Sequence, residues 1–399
     1  MGHAGVWRVG VLGLLAVLML VPVTLPVTVL RGLVHERFGV SETLTSLFMS
    51  VNMIGAFLAA PLAGALADRF GQRRAIAVGA LLLDAGLLYA LTLPAPFGAF
   101  LALRFFEGCA HISALSILLA IASRSRGEAQ RGWVMGLVGG GITLGVAIGA
   151  PLGGWLGQLD PLATLRVGSL VLLAAALLAA LALADSGGGG PRSSARQLLA
   201  AIRENRWLLA PLAFSFADRF TVGFFTTTFS LFLSRIHELP PPRIGLLMAL
   251  FLVPFSLLSF PFGRLSERTS RVWMLCGGSL AYGIGTGSLG FWPLSGLPFL
   301  MLLLGIFSAV MFVPSLLLTA EIAPERIRTT AMGAFNAAGS LGFIAGPLTG
   351  GLVSQGVGER FSWEAGYQAA FVVAGASMIL CVLLALPALR SLLRAGRTR

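Results

Sequence analysis

The chain has no lysine, only three cysteines among 399 residues, and charges at just 11% of its positions. Each scarcity closes a class of reading. A water-soluble domain carries charge at about a quarter of its positions, so this composition does not suit one. Cys109, Cys276 and Cys381 fall in separate apolar runs without CxxC or Cys/His spacing, which argues against both a disulfide framework and a metal site. No phosphate loop of the Walker type is present, so primary pumping by this chain alone is not expected. No nucleophile and base spacing points to an enzyme, and neither metal nor cofactor is expected.

What abounds is apolar: 56% of residues are hydrophobic and the mean hydropathy is +0.89. A bilayer core takes roughly 20 helical residues per crossing. Runs of that kind begin near Val9, Leu44, Ala75, Phe97, Gly132, Leu165, Trp207, Ile244, Val272, Leu297, Thr330 and Gly366. The composition therefore predicts an all-α membrane protein with twelve transmembrane helices. The first run follows Arg8 but continues unbroken to Leu30 without a small-x-small cleavage site, so it reads as a retained span.

The net charge of +12 invites a nucleic-acid reading, which position argues against. With twelve spans both termini share one side; the connections and tails on that side hold twenty arginines and the opposite side holds six. The arginine-rich side is expected to be cytoplasmic, both termini with it. The expected setting is a bacterial inner membrane, with the lipid bilayer and a small-molecule substrate as partners, no nucleic acid, and a monomeric protein. The last two arginines, Arg104 and Arg219, lie within spans.

The stretch SGGGGPRSSAR, Ser186 to Arg196, reads as a flexible cytoplasmic connector. It predicts a six-helix bundle over 1–185, a linker over 186–206 and a second bundle with a short cytoplasmic tail over 207–399. The halves are related. MGLVGGGITLGVAIGAPLGG from Met135 aligns without gaps on MGAFNAAGSLGFIAGPLTGG from Met332. GALADRFGQRR, Gly64 to Arg74, has a partner in GRLSERTSR, where Gly263, Leu265, Glu267 and Arg268 stand in the places of Gly64, Leu66, Asp68 and Arg69. Tandem halves of six spans are a recurring secondary-transporter plan.

On these residues the chain resembles the major facilitator superfamily. GALADRFGQRR is similar to its loop signature between the second and third spans, and RFFEG, Arg104 to Gly108, resembles the Arg-x-x-x-Gly core of its fourth-span motif. Gly145 to Gly154 is similar to its Gly-rich fifth-span motif, with Ala150 where Pro is usual and Pro151 following; GPLTGG at Gly346 keeps the Gly-Pro order. The resemblance, which is nearest to the drug/proton antiporters, implies two pseudo-symmetric six-helix bundles. It also implies a cytoplasmic gate at Gly64, Asp68, Arg69, Gly71 and Arg73, repeated at Gly263, Glu267 and Arg268. The resemblance implies that Asp68 lies near the positive N-terminus of the eleventh span, and the internal repeat then places Glu267 near that of the fifth. Gly145, Gly149, Pro151, Gly346 and Pro347 are expected to pack helices closely or to act as hinges.

Ionisable residues inside spans are functional candidates, because their burial is costly. Asp84, Arg104, Glu107, Asp218 and Arg219 qualify, with His111 beside them. Arg104, Glu107 and His111 follow i, i+3, i+7 spacing and share one helix face. Three acids face two arginines, so one acid lacks a counter-ion when all are charged, as a proton carrier requires. Arg104 is expected to act as the switch and Glu107 or Asp218 as the carrier, with Arg219 as a further proton-coupling residue. The resemblance sets Asp84 aside, since the superfamily's third span lies outside its cavity.

Abundant phenylalanine in the seventh and tenth spans, against few amides, suits a lipophilic or amphipathic compound better than a sugar. Thr24, Thr28, His111, Thr221, Phe224, Phe225 and Met311 are the expected cavity residues. The reading is a secondary transporter drawing on the proton gradient to export such a compound. Symport or facilitated import of a metabolite or lipid-like solute, and a non-transporting receptor or assembly subunit, stand as alternatives.

Overall fold

The structure, a computed structural model, describes residues 3–70, 72–122, 128–183, 206–323 and 328–396. Among these, thirteen α-helices follow one another with no strand: α1 His3–Thr24, α2 Glu42–Phe70, α3 Arg73–Ala90, α4 Phe97–Ala122, α5 Glu128–Gly157, α6 Pro161–Ala182, α7 Leu209–Phe224, α8 Ser230–Arg235, α9 Pro241–Arg268, α10 Arg271–Ser288, α11 Leu297–Ile322, α12 Arg328–Gly358 and α13 Trp363–Gly396. A helix satisfies its own backbone, which is what an apolar segment in lipid must do.

Nine helices among the described residues are long and apolar enough to cross a membrane. The other three apolar runs depart from that standard for visible reasons. The third, α3, places Arg73, Arg74 and Asp84 within its 18 residues, and the ninth, α10, is rich in Gly and Ser. The seventh is divided: α7 passes into a π-helical segment, Phe225–Phe229, before α8. There the hydroxyls of Thr226 and Thr227 donate to the Gly223 carbonyl at 3.0 and 2.8 Å, drawing an acceptor away from the regular backbone ladder.

Local signals set several boundaries. Asp160 caps α6 by accepting from the Leu162 N–H at 2.9 Å, with Pro161 at the first helical position. Gly39, at φ 63°, turns the chain into α2, a conformation that a side chain would strain.

Packing divides the chain into two compact units, Met1–Gly190 with Leu233–Ala249, and Pro191–Phe232 with Leu250–Arg399. In the first, α1 packs on α5 and α6, α2 on α4, and α3 on α4 and α6. In the second, α7 packs on α12 and α13, and α10 on α11 and α13. Four of the five pairings recur six spans later, so the duplication read in sequence recurs in the packing. The connector expected at 186–206 falls almost wholly outside the described residues.

One segment departs from a division by chain order: Leu233–Ala249, expected in the second bundle, groups with the first unit. Arg235 Nη1 donates to Glu42 Oε1 at 2.7 Å, and Arg31 Nη1 donates to the Ser234 carbonyl at 3.0 Å. Gly154 meets the Pro241 carbonyl and Gly245 meets Ala150, contacts that a Cβ would fill.

Glycine rows bring the central pairs together. On α5, Gly141 faces the carbonyl of Gly13, Gly145 that of Val17 and Gly149 that of Val21 on α1, and Gly153 faces that of Leu25 in the 3-10 turn directly after it. On α12, Gly342 faces the carbonyl of Phe216 and Gly346 that of Phe220 on α7. The four-residue spacing repeats a small-xxx-small stripe that lets two backbones approach.

Candidate functional site: charges buried within each unit

In the first unit Arg104 and Glu107, one turn apart on α4, are 1% and 4% exposed. Arg104 Nη1 donates to Glu107 Oε2 at 2.7 Å, and Asn52 Nδ2 on α2 donates to the same oxygen. The Arg104 guanidinium lies 4.4 Å from the centre of the Phe48 ring, and Nη2 approaches Met49 Sδ at 3.9 Å. The charge on Arg104 is thereby matched by a carboxylate and an aromatic face in a site closed to solvent. The close approach of α2 and α4 that permits it comes from Gly108, which sits against the Asn52 backbone.

Two turns from Arg104, His111 Nδ1 pairs with Asp84 Oδ2 at 2.8 Å; Asp84, on α3, is fully buried. Glu107 is within electrostatic range of both. The resemblance had set Asp84 aside, and the structure joins it to the face carrying Arg104, Glu107 and His111.

In the second unit Asp218 and Arg219 are neighbours on α7. Their contact, Nε to Oδ2 at 3.7 Å, is long for an ion pair, and among the described residues Asp218 Oδ1 has no hydrogen-bond partner. Arg219 turns instead to rings, 4.9 Å from the centre of Phe312 and 5.5 Å from that of Phe343. Beside it runs an aromatic chain: Phe225 stacks on Phe251 at 4.8 Å, Phe255 meets Phe312 at 5.6 Å, and Tyr282 lies 6.4 Å from both Phe225 and Phe251.

A family model described as the major facilitator superfamily matches residues 11–231 and 212–397. The chain belongs to that superfamily. It is 27% identical to an uncharacterised MFS-type transporter of Yersinia pestis, over 80% of this chain and 82% of that protein. It is 26% identical to the 3-(3-hydroxy-phenyl)propionate transporter of Escherichia coli (strain K12), over 80% of each. Its fold matches a bacterial homologue of the human lysosomal transporter Spinster, solved inward-facing and unoccupied, with a TM-score of 0.84 over 99% of this chain and 98% of that one. At 14% identity that likeness bears on the fold alone.

Superfamily membership makes the chain a multi-pass membrane transporter and frames the remaining expected residues. Of the cytoplasmic gate motif, Gly64, Asp68 and Arg69 belong to helical backbone in α2, but their surroundings, with Gly71 and the side chain of Glu267, lie outside the described residues. Arg73, at the start of α3, is 2% exposed, while Arg268 is exposed. A methyl at Gly263 would lie 3.3 Å from Val313 Cγ1. An unforeseen pair joins the same loop to the end of α11, where Arg271 meets Glu321. Of the hinge residues, Gly145, Gly149 and Gly346 sit in the packing rows, and α5 and α12 run unbroken through Pro151 and Pro347.

Six expected cavity residues are buried in this conformation. Thr24 donates to the Val146 carbonyl at 3.1 Å, Thr221 donates to the Asp218 carbonyl at 2.7 Å, and Ser279 donates to Met311 Sδ at 3.5 Å. Phe224 packs on Phe220, Phe225 on Phe251, and Thr28 is 2% exposed. Thr24, Thr28 and His111 belong to the first unit and the other four to the second.

Proposed function

We propose that the chain is a proton-coupled secondary transporter of a bacterial inner membrane that exports a small hydrophobic or amphipathic compound by alternating access, as the drug/proton antiporters do. The carrying observation is a buried acid beside an arginine in each unit, Glu107 by Arg104 and Asp218 by Arg219, where an unmatched charge is expensive and a proton is the simplest means of matching it. Asp218 is the carrier candidate in the second unit. Its neighbour Arg219 holds it only at 3.7 Å and is engaged by two aromatic rings, so the counter-ion is loosely attached. Glu107 suits the carrier role less well, since Arg104 and Asn52 both donate to one of its oxygens. The ring chain of the second unit supports an apolar body in the substrate.

One feature favours a second reading, symport of an aromatic acid. Arg219 presents a partly exposed guanidinium among phenylalanines, the pairing that such an anion needs, and the Escherichia coli relative is named for a hydroxyphenylpropionate.

Accumulation of lipophilic cationic and neutral dyes in efflux-deficient cells tests the proposal, with and without an uncoupler and beside Asp218→Asn. Lower accumulation in expressing cells, restored by the uncoupler and by the variant, is expected. Unchanged accumulation of every dye would remove the exporter reading and leave import of an aromatic acid to be measured with labelled hydroxyphenylpropionate.

A further inference from the structure

We propose that His111 and Asp84 together form the proton-binding site of the first unit, with the Arg104 and Glu107 pair as its fixed counter-charge. The inference rests on the proton-coupled reading of the chain and gives it a site that the spacing along one helix does not reveal. Charge arithmetic carries it. Arg104, Glu107 and Asp84 sum to one negative charge when His111 is neutral, and a single proton on the His111 and Asp84 pair brings the cluster to zero. In a site this dry, a net charge is the costly condition and neutrality the favoured one.

Geometry says which pair takes the proton. Glu107 Oε2 is occupied by Arg104 at 2.7 Å and by Asn52. Asp84 Oδ1 and His111 Nε2 have no hydrogen-bond partner among the described residues, so the second pair has free capacity on both sides. The His111 side chain is 13% exposed, against 2%, 6% and 0% for Arg104, Glu107 and Asp84, so the imidazole is the least buried member of the cluster.

The surroundings add no competing charge. Cys109 on α4 donates to the Gly55 carbonyl at 3.3 Å, and α2 contributes the uncharged Asn52. The remaining charged residues of α1, α2, α3, α5 and α6 fall in the first or last two turns of their helices, away from the mid-helix position of Asp84 and His111. Among the described residues no grouping of His, Cys, Asp and Glu suits a metal ion.

The test uses the full chain in lipid nanodiscs with nitrogen-labelled histidine. The chain has four histidines, so single variants of His3, His35 and His237 assign the His111 resonance by elimination. Between about pH 5 and pH 8, wild type is expected to take up one proton on the pair. This is read as imidazolium in the nitrogen spectrum or as a carboxylic acid in the infrared. In Asp84→Asn, where Arg104 and Glu107 balance, that uptake is expected to vanish. His111→Asn is the second variant: its cluster still sums to one negative charge, so a carboxylic-acid band is expected there and should be lost in the double variant with Asp84→Asn. The proposal is overturned by a wild-type pair that changes in neither spectrum, or by full proton uptake in Asp84→Asn. No transport substrate enters the measurement, so a failure here is separable from a failure of gradient-driven export in the dye assay.

Discussion

Replacing Gly145 by alanine tests whether the α1 and α5 backbones are held together by the glycine row. A methyl built there would lie 2.6 Å from the Val17 carbonyl oxygen, 2.9 Å from Leu20 Cβ and 3.2 Å from Val17 Cα. None of these atoms is the far end of a flexible side chain, so relief requires the helices to move apart, and the row would carry the displacement to Gly141 and Gly149. Overpacking of this kind costs about 1–3 kcal/mol. Alanine's helix propensity offsets up to about 1 kcal/mol. Gly139, on the same helix, has nothing within 4 Å of the equivalent methyl. Gly139→Ala therefore keeps the propensity gain without the clash, and the two variants should differ by about 2 kcal/mol. For a unit of roughly 200 residues that corresponds to on the order of 4–8 °C in thermal midpoint. Thermal unfolding of the two purified variants in one detergent reads the difference directly. Equal midpoints, or a Gly145→Ala protein more stable than Gly139→Ala, would refute the claim that the row sets the helix separation.

Gly346→Ala should repeat the loss in the second unit, because its methyl would meet the Phe220 carbonyl, while Gly333→Ala, with open space, should not; the same melts compare them. Arg235→Ala leaves Glu42, 2% exposed, without its 2.7 Å partner and should cost about 1–3 kcal/mol. Adding Glu42→Gln should recover part of that loss in a double-mutant cycle of midpoints. Asp218→Asn should lower gradient-driven export by about tenfold or more, about 1.4 kcal/mol in the driven step, while leaving the melting midpoint near wild type. Both termini should be cytoplasmic. A fluorescent protein fused after Arg399 should glow and a periplasm-dependent phosphatase fused there should stay inactive, and the opposite pattern would invert the topology.

Much of the fold is legible because lipid leaves so few alternatives. Apolar length marks most of the spans, and the repeat between Met135 and Met332 announces the two halves. The glycines at 141, 145, 149 and 153 mark the packing face through their four-residue spacing. The Arg104 and Glu107 contact follows from helix geometry alone. Contacts between helices are where sequence reasoning stops. Asp84 and His111 lie 27 residues apart on different helices. The available signal was that a lone acid in the apolar run after Ala75 needs a partner, and His111, read from sequence as a cavity residue, is a histidine within a neighbouring span. The break at Phe225–Phe229 was foreshadowed only by three consecutive threonines. The grouping of Leu233–Ala249 with the first unit depends on Glu42 and Ser234 finding arginines distant in sequence, which no periodicity encodes.

Proton coupling is the central claim, and transport in reconstituted vesicles addresses it most directly. Purified protein in liposomes with an acidic lumen is offered a permanently charged lipophilic fluorescent cation, which cannot be trapped by protonation, and internal pH is followed at the same time. The account predicts accumulation of the cation together with loss of lumenal protons, both abolished when an ionophore collapses the pH gradient. Equal uptake with and without the gradient, with no proton movement tied to the cation, would contradict it.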